Sequence, residues 1–269
     1  MKTTTAQVIA DGQKYVMNTY GRLPIVIDKG EGCYVWDLDG NKYLDLVAGI
    51  AVNSLGHGHP AVIQAIKEQS EQLLHCSNLY WIENQVNLAK LLVEKSGLGK
   101  AFFCNSGAEA NEAAIKLARK WGKGEKYHFV VMQKSFHGRT LGSLAATAQE
   151  KYQKPFMPLP EGFTAVPLGD LEALEAAIRP ETCAVMLEPI QGESGINVPS
   201  VEYMQIADVV FPSASPAAFA VYAKKVICPS AYAKFVPMYS TSTVTFMPAV
   251  SSLLSTRMLS LPAVPTTFK

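Results

Sequence analysis

Two runs that are apolar without alternation, YHFVVM at residues 127–132 and CAVMLEP at residues 183–189, limit the possible folds of this chain most strongly. A strand with one wet face alternates apolar and polar residues, so runs like these belong to a sheet covered on both sides. AFFC at 101–104 reads as a further short buried strand. The segments 59–74, 84–95, 105–120 and 170–178 carry helical spacing. Strands alternating with helices over the first 205 residues predict an α/β fold, a mostly parallel sheet with flanking helices. GCYVWDLDGNKYLDL at 32–46 stands apart as a hairpin, with apolar runs on either side of an Asp39-Gly40 turn.

The helix that follows AFFC begins NSGAEANEAAIKLARK. Ser106 with Glu109 three residues later is a capping-box pair. Ala110, Ala114, Leu117, Ala118 and Trp121 fall on one face, and Glu112 and Lys116 are spaced for an i,i+4 pair on the wet side. Gly107 and Ala108 leave backbone N–H groups bare at the positive end of the helix dipole, where an anion such as phosphate can approach. By itself the stretch reads more readily as an ordinary capped helix.

Composition narrows the function classes. A formal charge of +1 gives no argument for nucleic acid or a membrane surface. Five scattered cysteines, Cys33, Cys76, Cys104, Cys183 and Cys228, show no CxxC spacing and read as reduced thiols, consistent with a cytoplasmic protein. The N-terminus lacks the apolar core of a signal peptide, and the longest uncharged run, 235–256, is broken by Pro237 and Pro248.

The pattern changes near Gln205. No glycine follows Gly195, and residues 206–269 hold one acidic residue, Asp208, with seven of the 16 prolines. No helical period is sustained there. A disordered tail would account for this, but the content of Val, Phe, Leu and Tyr is unlike ordinary disordered composition. A sequence not selected for this fold, as from a shifted reading frame, fits the broken local consistency better.

Four motifs occur in order: GIAVNSLGHGHP (49–60), NSGAEANEAAIKLARK (105–120), SFHGRT (135–140) and LEPIQGESG (187–195). Together they resemble the class III pyridoxal-phosphate aminotransferases, and within that family the acetylornithine branch. The resemblance runs from about Tyr20 to about Gln205. It implies a fold-type I aminotransferase-like architecture with an incomplete large domain. The expected organisation is 1–48 as an N-terminal small-domain segment, 49–205 as a partial cofactor-binding domain and 206–269 as a tail that does not match.

The resemblance also implies roles. Ser106, Gly107 and Ala108 would cradle the phosphate of pyridoxal 5′-phosphate, and Phe136 would stack on its ring. Arg139 would grip a substrate α-carboxylate through its planar guanidinium, and Glu193 would pair with an arginine and help the site take two unlike substrates in turn. Tyr20 would stand near the substrate. His57 and His59 belong to the family's Gly-His-x-His-Pro turn, so no metal is assigned. Small-molecule amino donors and 2-oxo acids are the implied partners, with a homodimer as the family assembly and no role for nucleic acid or membrane.

Two expected parts are missing. The family needs a lysine that holds the cofactor aldehyde covalently and an aspartate, in an Asp-Glu-Val-Gln type motif, on its pyridine nitrogen. Neither motif follows LEPIQGESG, and Lys224, Lys225, Lys234 and Lys269 lack the expected surroundings. No catalytic residue is therefore assigned and covalent cofactor attachment is not expected. The family reaction would transfer the amino group of N-acetylornithine to 2-oxoglutarate, with ornithine, succinylornithine or 4-aminobutyrate as alternative donors. A non-catalytic phosphate-binding or cofactor-binding remnant is the competing expectation.

Overall fold

A computed structural model describes residues 3–96, 99–204, 219–222 and 245–248. They fall into two compact units, divided after Leu88.

The first unit begins with α1 (Thr5–Tyr15), whose N-cap Thr4 accepts the Gln7 N–H at 3.2 Å. An antiparallel meander follows in the order β1 (Ile27–Glu31), β2 (Tyr34–Asp37), β3 (Lys42–Leu44). The expected hairpin is its β2–β3 half. Asp37 sets the turn: its carboxylate accepts from Asp39 N at 3.0 Å, Asn41 N at 2.8 Å, Asn41 Nδ2 at 2.9 Å and Tyr43 Oη at 2.7 Å. Those bonds, led by the one from the Asn41 side chain, hold its carboxyl below the usual aspartate range.

Next comes α2 (Ala48–Ala51), one turn in which Ala48, Gly49, Ile50 and Ala51 all have positive φ, between 44° and 62°. Glycine takes this conformation freely, but β-branched Ile50 is strained there. Asp45 steadies the entry by accepting from Val47 N and Ala48 N at 3.0 and 2.8 Å. His57 Nε2 lies 2.8 Å from the other Asp45 oxygen, so the first histidine of the Gly-His-x-His-Pro turn serves a structural pair. Two helices, α3 (Pro60–Gln72) and α4 (Glu83–Ser96), match the periodic segments; Pro60 opens α3, and α4 crosses the division between units.

The second unit is a five-stranded sheet covered by helices. Its elements are α5 (Gly107–Trp121), β4 (His128–Met132), α6 (Leu141–Ala146), α7 (Glu150–Gln153), β5 (Phe163–Val166), α8 (Leu171–Ala177), β6 (Thr182–Leu187), β7 (Phe219–Tyr222) and β8 (Thr245–Pro248). The strand order is β5-β4-β6-β7-β8, parallel except for the β7–β8 pair. Every residue of β4 and β6 is buried, as their unbroken apolar runs require.

Alternate side chains feed two cores. Phe129, Val131, Ala184 and Met186 pack with Ala110, Ala114, Ile115 and Ala118 of α5. On the other face, Val130, Met132, Val185 and Leu187 pack with Val166, Leu174 of α8 and Tyr203. The alanines of α5 let its backbone lie close to the sheet, and each fully buried Val, Leu, Phe or Met contributes about 1.5–3 kcal/mol.

Three local expectations are corrected. AFFC at 101–104 forms no strand among the described residues, and Phe102 is 48% exposed; a strand exists only through a hydrogen-bonded neighbour, and this segment has none there. No ion pair joins Glu112 to Lys116 among the described residues, because Glu112 turns to Thr140 and Ser143 instead. The Glu109 carboxylate reaches back one residue further than a capping box requires, accepting from Asn105 N at 2.6 Å, while Ser106 Oγ accepts the Glu109 N–H at 3.2 Å. The expected break near Gln205, the tail 206–269 apart from β7 and β8, and Lys224, Lys225, Lys234 and Lys269 lie outside the described residues.

Candidate functional site

The sheet order sets the site. The chain leaves β4 toward β5 on one side, whereas from β6 it passes to β7 on the other. Connections that diverge from two adjacent parallel strands open a crevice beyond their carboxyl ends. Phe136 follows β4 and Glu188 follows β6, and the two meet there: Phe136 N donates to Glu188 Oε2 at 3.0 Å. A second tie joins the loops, from buried Gln191 Nε2 to the Gln133 carbonyl at 2.8 Å. Gln191 is itself held by paired backbone bonds with Asn197 at 3.0 Å.

The start of α5 borders the same loop. Gly138, at φ 131°, approaches so closely that an added Cβ would stand 2.9 Å from the Ala108 Cβ and 2.5 Å from Ser143 Oγ. Only glycine allows both the backbone angle and the approach. Asn111, in the second turn of α5, donates to the His137 carbonyl at 2.6 Å. Ser106, Gly107 and Ala108 are each partly exposed at the positive end of α5, while the Glu109 N–H goes to Ser106 Oγ.

An aromatic and charged wall completes the arrangement. The rings of Phe136 and Tyr152 meet edge to face with centroids 6.0 Å apart. The Arg139 guanidinium lies 4.3 Å from the Tyr152 centroid and 5.6 Å from that of Phe136. Tyr152 Oη donates to Glu193 Oε1 at 3.4 Å. This places the Arg139 cation over aromatic rings, and its planar N–H groups suit a carboxylate. Phe136, Arg139 and Glu193 therefore converge through Tyr152, which sequence reading missed. Its signal is slight, one aromatic in the short helix EKYQ with no period to place it. Tyr20 lies in the first unit and is 68% exposed, whereas the other candidates all lie in the second.

His137 sits inside this loop, 1% exposed, with neither ring nitrogen hydrogen-bonded among the described residues. Burial pushes its imidazole down to about 4, so it is neutral at pH 7. His59 Nδ1 is likewise buried and unpaired among the described residues.

The site can take a flat ring bearing an anionic group, together with a carboxylate. Pyridoxal 5′-phosphate fits the residues present in part. The Gly138 contact brings the aromatic loop against the α5 turn that would receive its phosphate. Gly107 and Ala108 would hold that phosphate and Phe136 the ring. The groups for its aldehyde and pyridine nitrogen are not recognisable in the sequence.

Comparison with known proteins matches residues 15–209 to the class III aminotransferase family. The acetylornithine aminotransferase of Caldanaerobacter subterraneus subsp. tengcongensis is 59% identical over 197 residues, which is 72% of this chain and 50% of that protein. An ornithine aminotransferase from Toxoplasma gondii, whose structure has partial occupancy of pyridoxal phosphate at the active site, superposes with a TM-score of 0.76 at 32% identity. That match covers 81% of this chain and 53% of the other. The N-acetylornithine aminotransferase of Stenotrophomonas maltophilia K279a gives 0.64 at 33% identity, covering 80% and 52%. The chain spans about half the length of the curated relatives it matches.

Proposed function

Because the chain belongs to the class III aminotransferases, a pyridoxal-phosphate-dependent family, we propose that the crevice beyond β4 and β6 is a half-site for that cofactor. The lineage reaction we assign is transfer of the δ-amino group of N-acetylornithine to 2-oxoglutarate, a step of arginine biosynthesis. The observation that carries the site reading is the convergence of Phe136, Arg139 and Glu193 about Tyr152, on a loop pressed against the first turn of α5.

In this reading the N–H groups of Gly107 and Ala108, in a turn whose Glu109 N–H is capped by Ser106, bind the phosphate at the positive end of the helix. Phe136 aligns the ring, and Arg139 takes the substrate carboxylate through its guanidinium N–H groups. Glu193 tunes the access of two unlike substrates. When bound, the cofactor supplies an electron-accepting ring for the substrate carbon. The chain itself performs little or none of the reaction, since no lysine with family surroundings follows Gln205 to move the proton at that carbon. The choice of N-acetylornithine over ornithine draws support from the 59% identity to an acetylornithine aminotransferase.

Titration of the recombinant chain with pyridoxal 5′-phosphate, borohydride treatment and peptide mapping test both halves. Reversible binding, no fixed label on lysine and no glutamate formed from N-acetylornithine and 2-oxoglutarate are expected. Label on a single lysine together with glutamate formation would overturn the inactivity, and absence of binding would overturn the half-site.

A further inference from the structure

One face of α5 brackets the loop that carries Phe136 and Arg139. Ahead of Arg139, Asn111, 7% exposed, donates from Nδ2 to the His137 carbonyl at 2.6 Å. Behind it, Glu112 Oε1 accepts from Thr140 Oγ1 at 2.5 Å and from Ser143 N at 2.9 Å. Gly142 admits the carboxylate: a Cβ there would stand 2.5 Å from Glu112 Oε2. Ala108, one turn earlier on α5, receives Gly138.

A helix start such as that of α6 is usually capped by its own N-cap side chain. Thr140 occupies that position but makes no side-chain cap bond. Its hydroxyl is given to Glu112, and the Ser143 amide that a local cap would satisfy goes to the same carboxylate. The α6 start is thereby fastened to α5 across 28 and 31 residues of chain. A local cap would stabilise α6 equally well without fixing where it lies, whereas this one sets the position of the loop on the helix.

We infer that Asn111 and Glu112 are positioning residues that register Phe136 and Arg139 to the first-turn amides of α5. The ring-stacking and carboxylate-binding groups are thus held at a fixed offset from the phosphate anchor. This rests on the half-site reading above. Bonds to a charged acceptor are worth more than neutral ones, so Glu112 carries the larger share.

The test compares pyridoxal 5′-phosphate with inorganic phosphate as ligands of the full chain and of Glu112→Ala, Glu112→Gln and Thr140→Val. Far-UV circular dichroism checks folding. Glu112→Ala should weaken pyridoxal phosphate binding about tenfold and abolish the induced dichroism of the bound ring. Its affinity for inorganic phosphate should stay within about twofold, since the α5 amides are untouched. Glu112→Gln, whose amide oxygen still accepts, should restore most of the ring signal. Thr140→Val removes one hydroxyl at an exposed position and should give a smaller loss of the same kind; it carries the test if Glu112→Ala does not fold. Equal weakening of both ligands, or an unchanged ring signal in folded Glu112→Ala or Thr140→Val, overturns the positioning role alone. An unaltered chain that binds pyridoxal phosphate no more tightly than inorganic phosphate overturns the cofactor reading as well.

Discussion

Helices α3 and α5 begin with comparable local signals, a proline in the first turn of one and a serine cap on the other, yet their surroundings differ. α5 buries Ala110, Asn111, Ala114, Ile115 and Ala118, whereas α3 buries none of its residues. The contrast extends to the two units. Among described residues 3–88, Asp37 alone is buried, and Leu74, Leu79 and Trp81 are each at least 84% exposed. In the second unit the parallel sheet collects apolar side chains from α5, α8 and four strand positions on each face of the β4–β6 pair. Local sequence signals suffice to start and stop a helix, but burial needs a surface supplied by distant residues, and among the described residues the five-stranded sheet supplies it.

The sharpest way to break that comparison is to truncate a large side chain in each unit. Phe129→Ala removes a fully buried ring stacked on Phe163 at 5.4 Å and should cost about 4 kcal/mol in urea unfolding. Trp81→Ala removes a larger but 94% exposed ring and should change stability by no more than about 0.5 kcal/mol. A Trp81 effect near that of Phe129 would mean that the first unit's apolar side chains are covered in solution.

The same contrast explains what could be read from the sequence. β4 and β6 were legible because a strand buried on both faces writes an unbroken apolar run. β5, at the sheet edge and only partly buried, writes a four-residue stretch with no such mark and escaped. The helix start at Ser106 was legible because the cap is three residues from its donor. The partners of Glu112 were not, since Thr140 and Ser143 reach it only through the fold. AFFC shows the converse error, a strand-like composition without a strand beside it among the described residues. For the site, the motifs named Phe136, Arg139 and Glu193, but Tyr152, which joins them, lies in no motif. The positive-φ turn at Ala48–Ala51 left no sign beyond Gly49.

Acid should separate the units next. Because burial lowers the folded-state value of His137 from 6.5 to about 4, the unfolded chain takes up a proton below pH 6.5 that the folded chain refuses until about 4. Stability therefore falls as pH drops from 6.5 toward 4, by about 3 kcal/mol in full. His128, buried between Thr164 and Thr182 and also lowered to about 4 by burial, acts in the same direction. Thermal unfolding of the second unit's core between pH 7 and 4 should therefore show a falling midpoint. His137→Leu should flatten that fall and preserve or raise the midpoint at pH 7, since both buried ring nitrogens lack partners among the described residues. A steeper acid loss in the variant would show that His137 is paired in solution.

Two caps of the same geometry give the smallest and most direct comparison. Thr4 accepts from Gln7 N and Ser106 from Glu109 N, each at 3.2 Å. A cap of this type is worth about 1 kcal/mol to the helix it starts. What differs is whether the helix is coupled to a core. α5 buries five residues and α1 none, so Ser106→Ala should lower global stability by about 1 kcal/mol. Thr4→Ala should fray α1 alone and leave the cooperative transition unmoved. Amide exchange distinguishes the cases: faster exchange confined to the first turns of α1 in Thr4→Ala, against faster exchange through β4 and β6 in Ser106→Ala. If Thr4→Ala accelerated exchange in β4, the first unit would be stabilising the sheet, and burial would cease to be the measure of what each helix contributes.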